Sequence, residues 1–201
     1  IIYPVDTQMG VRDQIISELT NLEKITDERL QEKIVNVWQN SLTENNYDNI
    51  EKLPWWPPFE TAVGEKKGLP HVQDVTRCAV AIADSLASSQ EDLDINRDDV
   101  IAGALLHDVS KIYEISDGVT SKVHEWLPHP HYAIHLLARE DISLHIQHIV
   151  VAHSGISGIE PKSIEARIVR VADEIVCDGV FWSESGQLWE NIVENGEVIT
   201  A

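Results

Sequence analysis

Apolar residues recur at helical spacing along most of this chain, and no stretch alternates convincingly with a period of two. A half-buried strand turns every second residue to the core, and a helix every third or fourth. His71 to Leu86 carries Val72, Val75, Ala79, Ile82, Ala83 and Leu86 on one face. Asp98 or Asp99 can open the next helix, through Val100, Ile101, Ala104, Leu105 and Ile112. Pro130 suits the start of another, through Ile134, Leu137 and Ala138. Ile142, Ile146, Ile149, Val150 and His153 then share a face, and Gly155 and Gly158 punctuate the following turn. From Ser163 to Val176 the spacing is helical again, with Ile164, Ile168, Val171 and Ile175 expected inward. The expected fold class is all-α, a helical bundle.

Upstream, residues 12–42 read as one or two amphipathic helices. Ile15, Ile16, Leu19, Leu22 and Ile25 form one apolar series and Leu30, Ile34, Val37 and Trp38 a second, with Asp27 placed to cap it. Residues 45–70 hold Pro54, Pro57, Pro58 and Pro70 and read as a long loop. Trp55 and Trp56 within it are expected to anchor the loop on the core; stacking on a base is the alternative. Residues 1–60 are therefore expected to be a helical extension packed on a main domain of residues 61–201. Beyond Gly179 the pattern weakens to a tail, expected as a short helix or hairpin.

With 201 residues, 43% of them apolar, the chain can bury one sizeable core without staples. Apolar runs such as Ile149 to Ala152 fall far short of the ~20 residues that span a bilayer. Ile1-Ile2-Tyr3-Pro4 puts no basic segment ahead of an apolar one, so no secretory signal is expected, and the expected location is cytoplasmic. Cys78 and Cys177 form no CxxC pair and read as buried thiols in a reducing compartment. A formal net charge of −19 repels polyanions, so neither a nucleic-acid polymer nor an anionic membrane is an expected partner. A small anionic substrate can still reach a local cationic site.

Nine histidines are many for this length, and several lie beside or at the ends of apolar helical runs. His71, His107, Asp108, His129, His153 and Asp173 stand out. Asp173 lies in a helical segment, Val169 to Val176, that is otherwise apolar apart from Arg170 and Glu174, and a buried carboxylate there needs a cation. Imidazole nitrogen with carboxylate oxygen suits iron, manganese, zinc and similar ions. Four histidines and two aspartates suffice for two ions if one carboxylate bridges them. Paired ions can clamp a phosphoryl displacement and generate a hydroxide near neutral pH. Spacing alone does not bring the six together.

The run Ala102-Gly103-Ala104-Leu105-Leu106-His107-Asp108-Val109-Ser110-Lys111 resembles the signature of the HD-domain metal-dependent phosphohydrolases. His71 followed by Val72-Gln73-Asp74-Val75 resembles that family's first histidine. His129-Pro130 and Val151-Ala152-His153-Ser154-Gly155 resemble the two further histidines of its two-metal branch. Val171-Ala172-Asp173-Glu174-Ile175 resembles its closing aspartate. The resemblance covers about residues 69–178. Tyr132-Ala133 stands where many relatives have glycine, and the Gly-Tyr-Pro tripeptide of the cyclic di-guanylate branch is missing. Similarity around His153 and Asp173 extends to bacterial HD-type enzymes that cleave diadenosine tetraphosphate.

The resemblance implies a first metal held by His71, His107, Asp108 and Asp173, with Asp108 bridging to a second held by His129 and His153. His131 and His124 remain alternatives to His129. His135, His145 and His148 are expected to have no ligand duty. The ions implied are two divalent transition metals, iron or manganese first, with zinc, nickel, cobalt or magnesium also compatible. Asp108 and Lys111 are the implied catalytic residues, Lys111 gripping a substrate phosphate as a point charge. The implied reaction is hydrolysis of a nucleotide or other small phosphate ester by a metal-bound hydroxide. Two alternatives use the same residues: a mixed-valence di-iron oxygenase, and a non-catalytic module that keeps metal for folding. Arg167 and Arg170 are expected in surface salt bridges, and self-assembly stays open.

Overall fold

The helical periodicity becomes eight α-helices among the described residues of the computed structural model, which are 10–53, 55, 66–116, 119–189, 193–194 and 197–198. They are α1 (Val11–Glu18), α2 (Glu28–Glu44), α3 (Gly68–Ser89), α4 (Arg97–Leu106), α5 (Lys122–Trp126), α6 (His129–Arg139), α7 (Leu144–Ala152) and α8 (Ile164–Ser185). The only strands among the described residues are two two-residue antiparallel ladders, Ile115–Ser116 with Val119–Thr120 and Val193–Glu194 with Glu197–Val198. The expected all-α class is observed. Of the sequence features above, Ile1 to Pro4, Pro54 and Trp56 to Pro58 lie outside the described residues.

Helix α2 begins as expected, with Asp27 accepting from the Arg29 and Leu30 N–H groups. The first series divides differently. Helix α1 stops at Glu18, and Asn21 turns the chain at a φ of 74° into a 3-10 turn over Leu22–Lys24. Ile15, Leu19, Leu22 and Ile25 are buried around that bend, which leaves Ile16 half exposed. Helix α3 starts at Gly68, ahead of the expected His71. Pro70 does not prevent this, because N–H groups of a first helical turn have no intrahelical acceptor. Asn96 caps α4 by accepting from the Asp99 N–H, at 3.2 Å, in place of Asp98 or Asp99. Asp98 accepts instead from the Thr26 amide and hydroxyl, at 2.8 and 2.7 Å. Ile112 belongs to a 3-10 turn, Val109–Tyr113, beyond α4.

Helix α8 continues past Gly179 to Ser185, and its buried face matches the expected one in part: Ile168 is buried and Ile164 packs against the core. Ala166, Val169, Ala172, Cys177 and Phe181 face inward, while Ile175 is 54% exposed. Both stripes have helical spacing. The inward one carries small residues, and Ala166 and Ala172 join Ala79 and Ala83 of α3 in one core cluster. Close approach of two helices selects the small-residue stripe.

Helix α4 is the centre of the bundle. It touches α2, α3, α7 and α8, and every residue from Val100 to Leu106 is buried. Residues of α1 and α2 share a core cluster with α3, α4, α6 and α7. The fully buried Trp38 donates its indole N–H to the Leu105 carbonyl, at 3.0 Å. No helix among the described residues is long and apolar enough to cross a membrane.

Gly103 lies where α4 crosses α7, and a Cβ built there would fall inside the Ile149 side chain. Gly103→Ala is therefore expected to lower unfolding free energy by about 1–3 kcal/mol, read as a lower urea midpoint at unchanged m-value.

Candidate metal centre

Adjacent residues of an α-helix point about 100° apart, so two neighbours seldom serve one site. His107 and Asp108 do so because α4 ends at Leu106. Asp108 then takes φ −107°, ψ 8°, and a 3-10 turn follows. Both side chains enter the same buried space, with His107 fully buried and Asp108 nearly so. His153 follows the last residue of α7, His71 lies in the first turn of α3, and His129 opens α6. Asp173 projects from the middle of α8.

The six expected residues meet around the Asp108 carboxylate. Its Oδ2 lies 3.4 Å from His71 Nε2 and 3.4 Å from His107 Nε2. Its Oδ1 lies 3.5 Å from His129 Nε2 and 3.7 Å from His153 Nε2. Asp173 Oδ1 approaches the first pair, 3.0 Å from His71 Nε2 and 3.9 Å from His107 Nε2. The imidazoles of each pair have Nε2 atoms 3.3 Å apart. His71, His107 and Asp108 form one group with metal-binding spacing, and Asp108, His129 and His153 another.

The Nδ1 atoms explain why Nε2 points inward. His107 Nδ1 lies 2.7 Å from the Ala104 carbonyl, and His153 Nδ1 lies 2.6 Å from the Val150 carbonyl. A carbonyl oxygen only accepts, so each Nδ1 carries the proton. Each histidine thus satisfies an orphan carbonyl at the end of its own helix and turns a basic Nε2 to the centre. Asp108 Oδ1 has no hydrogen-bond donor among the described residues. It faces the basic Nε2 of His153, and opposed lone pairs in a buried space call for a cation. Nitrogen and oxygen donors in this arrangement fit first-row transition ions.

Burial, with the His107 charge adding to it, pushes His153 down to about 3, so it is neutral at pH 7. Burial also lowers His71, beyond what Asp173 and Asp108 restore. At His107 burial is outweighed by the charges of Asp108 and Asp173, and the imidazole holds a proton more tightly than usual. Burial would raise both aspartates. Lys111 and His107 hold Asp108 well below the carboxylate range, and His71 does the same for Asp173. Lys111, nearly buried, puts Nζ 2.7 Å from Asp108 Oδ2.

Of the other histidines, His124 and His131 lie outside these two groups. His124 Nδ1 sits 3.4 Å from Glu114. His145 bridges Asp99, at 2.7 Å, and Ser163, at 3.0 Å; His148 accepts the Lys162 N–H, at 2.9 Å. His135 packs on Tyr132. Arg170 pairs with Glu160 and Glu174, at 3.3 and 3.0 Å. Trp55 is buried, with its ring centroid 5.1 Å from that of His71.

The HD domain family model matches residues 69–176. The chain belongs to the HD-domain family. A curated relative, dihydroneopterin 2',3'-cyclic phosphate phosphodiesterase of Methanocaldococcus jannaschii, is 32% identical over 166 residues. The match covers 76% of this chain and 64% of the relative, so the chain spans just under two thirds of that protein's length. No solved structure matches the chain significantly.

Around the HD-domain doublet lie further residues that the sequence did not mark as part of the site. Glu114 is buried, accepts the His129 N–H through Oε1 at 2.7 Å and puts Oε2 3.6 Å from His129 Nδ1. Burial would raise it, but His129 outweighs that and holds it low. Ser110 donates its hydroxyl to the His129 carbonyl, at 2.6 Å. Cys177, one turn after Asp173, has Sγ 3.7 Å from Asp173 Oδ1, and burial pushes its thiol well up. Glu114 falls at the end of an irregular turn, where no periodicity announces it. Glu114→Ala removes the carboxylate acceptor of the His129 N–H and is expected to cost about 1–3 kcal/mol, measured by urea unfolding, whereas Glu114→Gln should cost less.

Proposed function

We propose that this chain is a metal-dependent phosphohydrolase that cleaves a small phosphate ester, with a cyclic phosphodiester as the first substrate class to test. The observation that carries the reading is the Asp108 carboxylate, whose two oxygens each face a separate pair of imidazole Nε2 atoms. Family membership and the phosphodiesterase name of the Methanocaldococcus jannaschii relative support the reaction class. A nucleotide belongs to the same class.

In this reading His71, His107, Asp108 and Asp173 hold one divalent ion, and Asp108, His129 and His153 the other. Iron or manganese suits the donors best; zinc, nickel, cobalt and magnesium are the alternatives. When bound, the two ions make a nucleophile from water near neutral pH and neutralise charge on the phosphoryl oxygens. The residues do the positioning. Asp108 fixes the spacing of the two halves. Lys111 holds Asp108 Oδ2 and lines the opening between Trp55 and Trp189, from which its ammonium meets a phosphate oxygen. Water adds to phosphorus, one P–O ester bond breaks, the leaving oxygen takes a proton, and a cyclic diester opens to a monoester. Residues 1–60 act as an extension of the catalytic domain, 61–201, and the enzyme works in the cytoplasm.

Loading with Fe(II) without oxygen, or with Mn(II), is expected to give two ions per chain by elemental analysis. His153→Ala should retain about one, and one ion in the unsubstituted protein sinks the two-metal assignment. Asp108→Ala should abolish conversion of a nucleoside 2',3'-cyclic phosphate to its monoester, followed by phosphorus NMR, in protein that remains helical by circular dichroism. Lys111→Ala should lower kcat/KM roughly 10- to 100-fold, the usual worth of a hydrogen bond to a charged group. Oxygen consumption in place of monoester formation would support the di-iron oxygenase.

A further inference from the structure

A cleft of about 350 Å³ opens from the metal centre at His153 and Asp173 and runs beside α8 to Trp189. That volume is at the lower end for small-molecule sites, about 300–1,000 Å³. A phosphoryl group at the centre leaves most of it free. We propose that this cleft is the subsite for a planar heteroaromatic ring carried on the non-reacting end of the substrate, with Trp189 as its stacking platform. The ester end of the proposal rests on the phosphohydrolase reading; binding of the ring does not.

The walls suit a flat ring. Trp189 packs edge-to-face with Phe181, ring centroids 5.0 Å apart, and Phe181 is fully buried. Phe181 in turn lies 6.2 Å from Trp55, whose ring packs on His71. The Trp189 backbone is pinned as well, its N–H donating to Asp178 Oδ1 at 2.8 Å. An indole fixed in this way offers a stacking face at little entropic cost. Gly155 lines the cleft beside Arg170. Arg170 is tied to Glu160 and Glu174, with 14% of its side chain exposed, so its guanidinium is also held in place.

Charge selects what enters. With Asp173 committed to an ion and Glu174 paired with Arg170, Asp178 leaves the rest of the lining acidic, which disfavours a second phosphate there. Glu174 and Asp178 each keep a second carboxylate oxygen that can accept hydrogen bonds. They match a ring edge rich in N–H donors, as in amino-substituted purines and pyrimidinones. The substrate class is accordingly a cyclic phosphodiester with one such ring.

The test uses the full chain loaded with Mn(II), and three probes: guanosine 2',3'-cyclic phosphate, glycerol 1,2-cyclic phosphate, which has no ring, and guanosine, which has no phosphate. Trp189→Ala is expected to lower the ratio of kcat/KM for the guanosine ester over the glycerol ester about tenfold, within the range of base–aromatic stacking. Trp189→Phe should recover most of it. An unchanged ratio, including an equal loss on both esters, overturns the proposal. Guanosine binding by calorimetry separates the two readings. If neither ester is hydrolysed the phosphohydrolase reading fails, and the subsite then stands only if guanosine binds and Trp189→Ala weakens it at least about tenfold. Guanosine binding indifferent to Trp189, or absent, sinks the subsite.

Discussion

One carboxylate organises the interior of this protein. Asp108 lies at the end of the most buried helix and presents each oxygen to a different pair of imidazoles. Buried negative charge of this kind is tolerated only with compensation. Lys111 supplies part of it, but Asp173 and Glu114 add two further carboxylates close by. An excess of acid surrounded by basic nitrogen atoms is a strained arrangement for a protein alone and a suitable one for divalent cations. The elements that bring these groups together come from α3, α4, α6, α7 and α8, so the compensation has to be shared by most of the bundle.

The ligating atoms sit at helix ends for a physical reason. A histidine just past a C-terminus can donate Nδ1–H to a carbonyl that its own helix leaves unpaired, as His107 and His153 both do. The hydrogen bond fixes the ring and sets the tautomer. Mid-helix placement would offer no such carbonyl. His71 and His129 approach from helix N-termini, and Glu114 steadies the second of these by accepting its backbone N–H. Helix ends thus supply four imidazoles, and for His107 and His153 the ring direction is set before any ion arrives.

Much of this was legible in the sequence. Helix positions follow from apolar spacing, and the ordered histidines and aspartates identify the family without any coordinates. Convergence was not legible, because spacing says nothing about which helix ends meet. The structure departs from the sequence pattern only locally. Ile175 lies on a helical stripe as regular as the buried one, and only the close approach of α8 to α3 decides between them. Pro70 looked like a barrier to α3, yet a first turn accepts it. Asn96 displaced Asp98 and Asp99 as a cap because Asp98 is engaged by Thr26 across the fold. Glu114 and Trp189 lie in or beyond irregular segments, where function leaves no period to read.

The crossing of α4 and α7 has a consequence for the metal centre. Gly103 and Ile149 interlock there, and His107 and His153 follow each of them by one helical turn. Their ring centroids lie 5.0 Å apart, one ring belonging to each half of the ligand cluster. The absence of a side chain at Gly103 thus works as a spacer, and an apolar contact away from the cluster helps set how far apart two charged guests would stand.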